Sequence, residues 1–185
     1  MPELPEVETI VRGLRENPAL RAGERFARAE VLWARSVADP GAEEFCARLD
    51  GQAIRQIGRR GKYIHIRLER DSLLIHLRMS GDLRVEPSNA PTQPHDRLRL
   101  HLENGSCLAF NDARKFGRAW LTSDAQTVLG NLGPEPLDAS FSADDLYARL
   151  QGTSRQLKPV LLDQSFLAGL GNIYTDEALY LAALH

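Results

Sequence analysis

The chain has 185 residues, 43% hydrophobic and 26% charged, an ordinary globular composition that suffices for one core or for a domain with a smaller companion. Its 23 Lys and Arg stand against 25 Asp and Glu for a formal net charge of -2, so no general basic footprint marks a nucleic-acid binder, and any such function rests on how the charges are distributed. No apolar run is long enough to cross a bilayer, and the N-terminus is acidic and periodic rather than basic and apolar, so no membrane partner is expected and a cytoplasmic location is.

The opening stretch Met1-Pro2-Glu3-Leu4-Pro5-Glu6-Val7-Glu8-Thr9-Ile10 sets a candidate nucleophile beside acid/base groups. If Met1 is removed, as a small second residue allows, Pro2 becomes a free secondary amine. With a reference pKa of ~8, an α-amino group is partly unprotonated and nucleophilic at neutral pH. A secondary amine that attacks C1 of a deoxyribose losing its base gives an imine with no N–H to lose. The resulting cationic iminium is an electron sink that acidifies the neighbouring carbon and favours expulsion of phosphate by elimination. Glu3 is adjacent to supply the acid such a step needs, and Glu6, one turn on, either shares that pocket or lies in solvent. The same residues also read simply as a helix start, with Pro5 in the first turn and acidic side chains at the positive end of the dipole. Val7, Ile10, Val11 and Leu14 then form the apolar stripe of an amphipathic helix that stops before Pro18.

From Arg25 to Leu121 the pattern changes to short strands. The segments 26–33, 63–68, 72–77 and 98–102 alternate over strand lengths, Glu103-Asn104-Gly105-Ser106 reads as a hairpin turn before Cys107-Leu108-Ala109-Phe110, and 41–49 carries a helical pattern. Many short strands with Gly, Asn and Pro turns imply a two-sheet sandwich. Within this region Gly58-Arg59-Arg60-Gly61-Lys62-Tyr63 is a basic cluster that fits either a solvated turn or a phosphate or acid/base lysine at the mouth of a site. His76-Leu77-Arg78-Met79-Ser80-Gly81 ends a strand in a tight turn, and Asn111-Asp112-Ala113-Arg114-Lys115-Phe116-Gly117-Arg118 is a cationic loop with an aromatic wedge. An enzyme that rotates a base out of the stack needs apolar and cationic groups of this kind to fill the hole, although a lone Met is more often core filler. Pro87 to Pro94 reads as a loop leading into His95, and Gly130 to Ala139 as a linker. Helices follow at 142–150, from Lys158 and from Thr175 to Leu184, with Leu179, Leu181 and Leu184 an apolar face in want of cover. Gly169 and Gly171 before the last of these would let the backbone approach an anion closely. Cys46 and Cys107 have neither CxxC nor His spacing, so two reduced thiols are expected, with no metal and no disulfide.

These motifs together resemble the formamidopyrimidine-DNA glycosylase family, which includes the endonuclease VIII group. The resemblance rests on MPELPEVET followed by Ile10, Val11 and Arg12, on the R-R-x-K-Y, HL-x-MSG and D-x-R-x-FG motifs, and on K-P-x-L-L-D-Q followed by G-x-G-N-I-Y. It implies an α+β fold, with an N-terminal amphipathic helix packed on a two-sheet antiparallel β-sandwich and then part of a helix-two-turn-helix domain. The expected division is a catalytic domain over 1–133 and a DNA-binding domain over 134–185. By the same resemblance Pro2, Glu3 and Lys62 are catalytic with Glu6 beside them, and Met79, Arg114 and Phe116 fill the void left by the flipped base. His95, Arg114, Arg155, Lys158 and Asn172 contact DNA. The family often has Pro-Arg-Arg where this chain has Ala113-Arg114-Lys115. The implied activity is excision of oxidised purines (8-oxoguanine and formamidopyrimidines) coupled to abasic-site β-lyase chemistry through a proline Schiff base. The alternatives are an endonuclease VIII-like pyrimidine glycosylase and a non-catalytic damaged-DNA-binding module. The expected partner is double-stranded DNA with oxidised bases or abasic sites, bound by a monomer. The family continues past the position of His185 with more helices and a four-cysteine zinc finger, so a truncated form without cofactor is expected.

Overall fold

The computed structural model describes residues 2–184. Met1, whose removal the reading of Pro2 invokes, and His185 lie outside the described residues.

The first helix, α1 (Leu4–Glu16), forms where the apolar stripe predicts it. Glu3 is its N-cap, Pro5 sits in the first turn, and the Glu3 backbone N–H is received by the Glu6 carboxylate, a reciprocal cap that satisfies amides a helix start leaves free. Leu4, Val7, Val11 and Leu14 are buried, each contributing roughly 1.5–3 kcal/mol by removal from water. Asn17 ends the helix before Pro18, and Arg15 in the last turn reaches the carbonyl of Ile57 at 2.7 Å.

The strands are β1 (Phe26–Val31), β2 (Val37–Asp39), β3 (Ile54–Arg60), β4 (Tyr63–Leu68), β5 (Ser72–His76), β6 (Gly81–Pro87), β7 (Asp96–Leu102), β8 (Ser106–Asp112) and β9 (Arg118–Thr122), with the helix α2 (Ala42–Leu49) between β2 and β3. They make a four-stranded sheet in the order β1-β7-β8-β6 and a five-stranded sheet in the order β2-β9-β5-β4-β3. All pairs are antiparallel except β2 with β9, where three residues run parallel. The inner faces share one core with α1 and α2, including Val11, Phe26, Phe45, Ile64, Ile66, Ile75, Leu100 and Phe110.

After β9 come α3 (Gln126–Leu129), α4 (Ala143–Gln151), α5 (Leu157–Leu162) and α6 (Asn172–Leu181). Leu161, Leu167 and Leu179 form a second, separate apolar cluster, covered by Phe141, Leu146, Leu157, Phe166 and Leu170. The α+β class is therefore as expected. Of the apolar face at the end of the chain, Leu179 is buried, while Leu181 and Leu184 are exposed.

Several elements depart from the sequence reading. The strand expected over 26–33 ends at Val31, because the amides of Leu32 and Trp33 both turn to the carbonyl of Arg97. Strands β2, β3, β6 and β9 are not among the expected ones; β3 reads Ile-Arg-Gln-Ile-Gly-Arg-Arg, with only Ile54 and Ile57 buried and three arginines, and only pairing with β4 makes it a strand. The last helix begins at Asn172 rather than Thr175, for a reason found in the site.

Candidate active site and nucleic-acid interface

The free amides at the start of α6 receive an anion, and it belongs to this chain. Glu3 is 1% exposed, and its carboxylate accepts the backbone N–H groups of Gly171 at 2.7 Å, Ile173 at 2.9 Å and Tyr174 at 3.2 Å. Charge-assisted bonds of this kind, aligned with the helix dipole, draw the helix start back to Asn172. The two glycines are there for close approach. A Cβ on Gly171 would lie 2.5 Å from a Glu3 carboxylate oxygen, and one on Gly169 2.5 Å from Leu4 Cδ1; the Leu4 amide also donates to the Gly169 carbonyl at 3.0 Å. The glycine turn read from sequence as an anion cradle is thus a clasp on the N-terminus. It fastens Glu3, with the half-buried Pro2 before it.

Glu6 is exposed but engaged: one oxygen accepts the Glu3 amide at 2.8 Å and the other the Tyr174 hydroxyl at 2.9 Å. Burial would raise its carboxyl, but these bonds hold it below the ordinary value. The Tyr174 phenol is raised by the same contact.

The basic cluster divides. Arg59 donates to Glu8 at 3.0 Å and to Glu135 at 2.7 Å, and Arg60 donates to Glu135 at 3.0 Å and to the carbonyls of Leu132 and Gly133. The Gly61 amide also donates to Glu135. Both arginines are therefore spent on fastening the β3–β4 turn to the segment after β9. Lys62 points elsewhere and is 6% exposed. Burial lowers its pKa, Glu3 opposes that and Arg78 adds to it, so the ammonium shares a charged environment with Glu3 and the Met79 turn. His76, buried beneath, meets Tyr63 edge-on at 4.7 Å, and its Nδ1 accepts the Arg78 amide at 3.0 Å. Burial, with Arg78 and Lys62 nearby, pushes this imidazole down to about 3, so it is neutral at pH 7.

Three loops carry Met79, His95 and Arg114 with Phe116. Met79 is 41% and Phe116 50% exposed, so both apolar side chains are presented to solvent at turns. The Arg114 guanidinium lies 5.2 Å from the Phe116 ring centre. His95 is exposed, with Arg97 3.4 Å from its Nδ1. Asn172 is exposed at the first turn of α6, whereas Lys158 is paired with Asp176 at 2.6 Å and Arg155 with Asp163 at 2.8 Å. The Asp163 carboxyl is held down to about 2 by the Ser165 hydroxyl and Arg155. A groove of about 870 Å³ runs beside Lys158, Asp176 and Tyr180, apart from Pro2, Glu3 and Lys62.

Among the described residues no group of three or more His, Cys, Asp or Glu could hold a metal ion. Cys107 is buried, and burial pushes its thiol up to about 11. These residues do not fit a metal site. No described helix is long and apolar enough to cross a membrane. Sequence reasoning gave no role to Tyr174, His76 and Asp112, although each lies within one of the quoted motifs; the distant partners Glu6 of Tyr174 and Ser80 of Asp112 are seen only in the fold.

Two family models match the chain. One, described as the formamidopyrimidine-DNA glycosylase N-terminal domain, covers residues 1–119, and the other, the H2TH domain of the same enzyme, covers residues 132–185. Formamidopyrimidine-DNA glycosylase of Protochlamydia amoebophila is 45% identical over all of this chain and 67% of its own length. That of Moorella thermoacetica is 45% identical over all of this chain and 68% of its own length. The structure is also similar to that of the Lactococcus lactis enzyme in complex with abasic-site DNA, with TM-score 0.88 and 37% identity over 99% of this chain and 68% of that one. A second complex of the Lactococcus lactis enzyme, with DNA containing FAPY-dG, matches with TM-score 0.88 and 37% identity over 99% of this chain and 69% of that one.

Proposed function

The chain belongs to the formamidopyrimidine-DNA glycosylase family of DNA-repair enzymes, and from that membership we propose that it excises oxidised purines from duplex DNA and cleaves the resulting abasic site by β-elimination from a Pro2 Schiff base. The Pro2 nitrogen attacks C1 of the damaged nucleotide as the bond to the base breaks, and the base leaves with a proton. Opening of the sugar gives the iminium. Loss of a proton from the neighbouring carbon expels the 3′ phosphate, and water then releases Pro2. Glu3 handles the proton at the sugar oxygen or base, and Lys62, its pKa lowered by burial, assists the acid/base steps and meets phosphate. Met79, Arg114 and Phe116 hold the duplex open, while His95, Arg155, Lys158 and Asn172 bind its backbone. In domain terms, residues 1–133 carry the chemistry and 134–185 the grip.

The observation that carries this reading is the clasp on Glu3 of three backbone amides, those of Gly171 and of Ile173 and Tyr174 in the first turn of α6. It ties the N-terminal segment that carries Pro2 to the start of α6 beside a buried lysine, the preorganisation a covalent nucleophile needs. A second reading is a damage-binding module without turnover, in which Lys158 and Arg155 exchange their acidic partners Asp176 and Asp163 for phosphate.

Borohydride trapping of the 185-residue chain on duplex DNA with an abasic site or 8-oxoguanine, with Pro2→Gly as control and intact mass to establish whether Met1 is present, decides between them. A Pro2-dependent covalent adduct is expected. Absence of an adduct from a chain that lacks Met1 and still binds the duplex would leave only the binding module.

A further inference from the structure

Each of the three loops read as facing the duplex contains one non-glycine residue in the left-handed backbone region: Arg78 (φ 57°) beside Met79, His95 itself (φ 77°), and Lys115 (φ 62°) between Arg114 and Phe116. That conformation is disfavoured for an L residue and persists only where its surroundings over-determine it. The three loops share one such constraint, the fully buried Asp112 at the end of β8.

Its contacts reach every loop. One carboxylate oxygen accepts the Ser80 hydroxyl at 2.5 Å and the Arg114 amide at 3.2 Å, and the other accepts the Gly117 amide at 2.7 Å. The Arg114 amide also approaches Ser80 Oγ at 3.3 Å. The Asp112 backbone N–H donates to the His95 carbonyl at 2.9 Å, and its carbonyl accepts Arg97 Nε at 2.8 Å. The wedge loop is thus closed on its own first residue and cross-tied to both neighbours. The flanking glycines leave no slack. Gly81, opposite Asp112 in the β6–β8 ladder, would set a Cβ 2.5 Å from the Leu77 carbonyl, and Gly117 would set one against the Phe110 ring and 3.2 Å from Asp112 Oδ2.

We propose that Asp112 is a positioning residue whose carboxylate locks the Met79 and Arg114–Phe116 loops into one preassembled wedge, alongside the His95 loop held by its backbone N–H, so that insertion into the helix requires no prior ordering of these two loops. The inference rests on the proposed reading of these loops as duplex-facing. Asp112 itself touches no reacting atom. A carboxylate is suited to this because it accepts on both oxygens at once, whereas an amide would present N–H groups to one of the donors.

The test compares the unaltered chain with Asp112→Ala, Asp112→Asn and Ser80→Ala on two DNAs. The first is a duplex with a tetrahydrofuran abasic analogue opposite 2-aminopurine, whose fluorescence reports insertion of the wedge. The second is a single-stranded abasic oligonucleotide, which offers no helix to wedge and is read by borohydride trapping. Asp112→Ala should weaken insertion about tenfold or more, the worth of charge-assisted bonds left unmade, while trapping on the single strand stays within about twofold because that strand offers no helix for the wedge to enter. Asp112→Asn and Ser80→Ala should fall between, and they carry the test if Asp112→Ala does not fold. Equal losses on both DNAs would mean a merely structural residue and overturn the proposal, as would unchanged insertion by folded variants or a single-strand trap by an unaltered chain that does not unstack the duplex. An unaltered chain that neither traps nor inserts removes the functional reading, and this inference with it.

Discussion

Gly171→Ala tests the clasp that organises the site. The backbone φ of Gly171 is −127°, a region any residue adopts, so the substitution strains nothing locally. Its whole effect comes from the new Cβ, which would lie 2.5 Å from a Glu3 carboxylate oxygen and 2.8 Å from Glu3 Cγ. Ordinary contact at the carbon atoms needs roughly 3.5–4 Å, so the carboxylate must retreat by about 1 Å, beyond reach of amides that it now meets at 2.7, 2.9 and 3.2 Å. Overpacking of this kind costs about 1–3 kcal/mol of stability. A displacement of about 1 Å next to the nucleophile costs on the order of a hundredfold in rate. Denaturant unfolding measures the first, and single-turnover borohydride trapping under conditions where the variant is folded measures the second. A variant that traps within about twofold of the unaltered chain would refute the claim that these backbone amides set Glu3 for the reaction. Stability within about 0.5 kcal/mol would refute the packing itself.

Two further outcomes follow from charges away from the clasp. His76 titrates at about 3 when folded against an ordinary 6.5; below pH ~6.5 the unfolded chain takes up a proton that the folded chain refuses, so stability is complete above that pH and is lost as pH falls toward 3. At about 1.4 kcal/mol per unit the loss totals roughly 4–5 kcal/mol. Denaturant unfolding between pH 7 and 4 should show roughly 3–3.5 kcal/mol of it, and a His76→Gln variant with the same acid slope would assign the loss to other groups. Glu135→Gln removes the carboxylate on which Arg59, Arg60 and the Gly61 amide converge. With Glu8 still paired to Arg59 at 3.0 Å, the expected cost is about 2–3 kcal/mol, below that of stripping a buried ion of its sole partner. A shift under about 0.5 kcal/mol in urea unfolding would mean the turn that carries Lys62 is held by packing instead.

What the sequence by itself determined was local. The stripe Val7, Ile10, Val11, Leu14 with Pro18 beyond it defined α1, period-two alternation defined β4 and β5, and the order of the motifs was enough to suggest the family. These signals are legible because each is complete within one or two turns or a single strand. Strands β2, β3, β6 and β9 escaped because charged outer residues blur the alternation in β3 and β6, β2 and β9 have only three and five residues, and their partners, not their composition, make them strands. The same limit applied to the site. That Arg59 and Arg60 would be consumed by Glu135 while Lys62 went buried toward Glu3 is invisible in Arg-Arg-Gly-Lys. The glycine turn advertised an anion site, but only the tertiary structure decided that its anion is Glu3, 168 residues away in the chain. Asp112 likewise gathers Ser80, His95 and Gly117 from separate loops. A buried polar group must find a partner somewhere, and sequence says that it must without saying where; the answer is settled by which surfaces the packed core brings within 3 Å of one another.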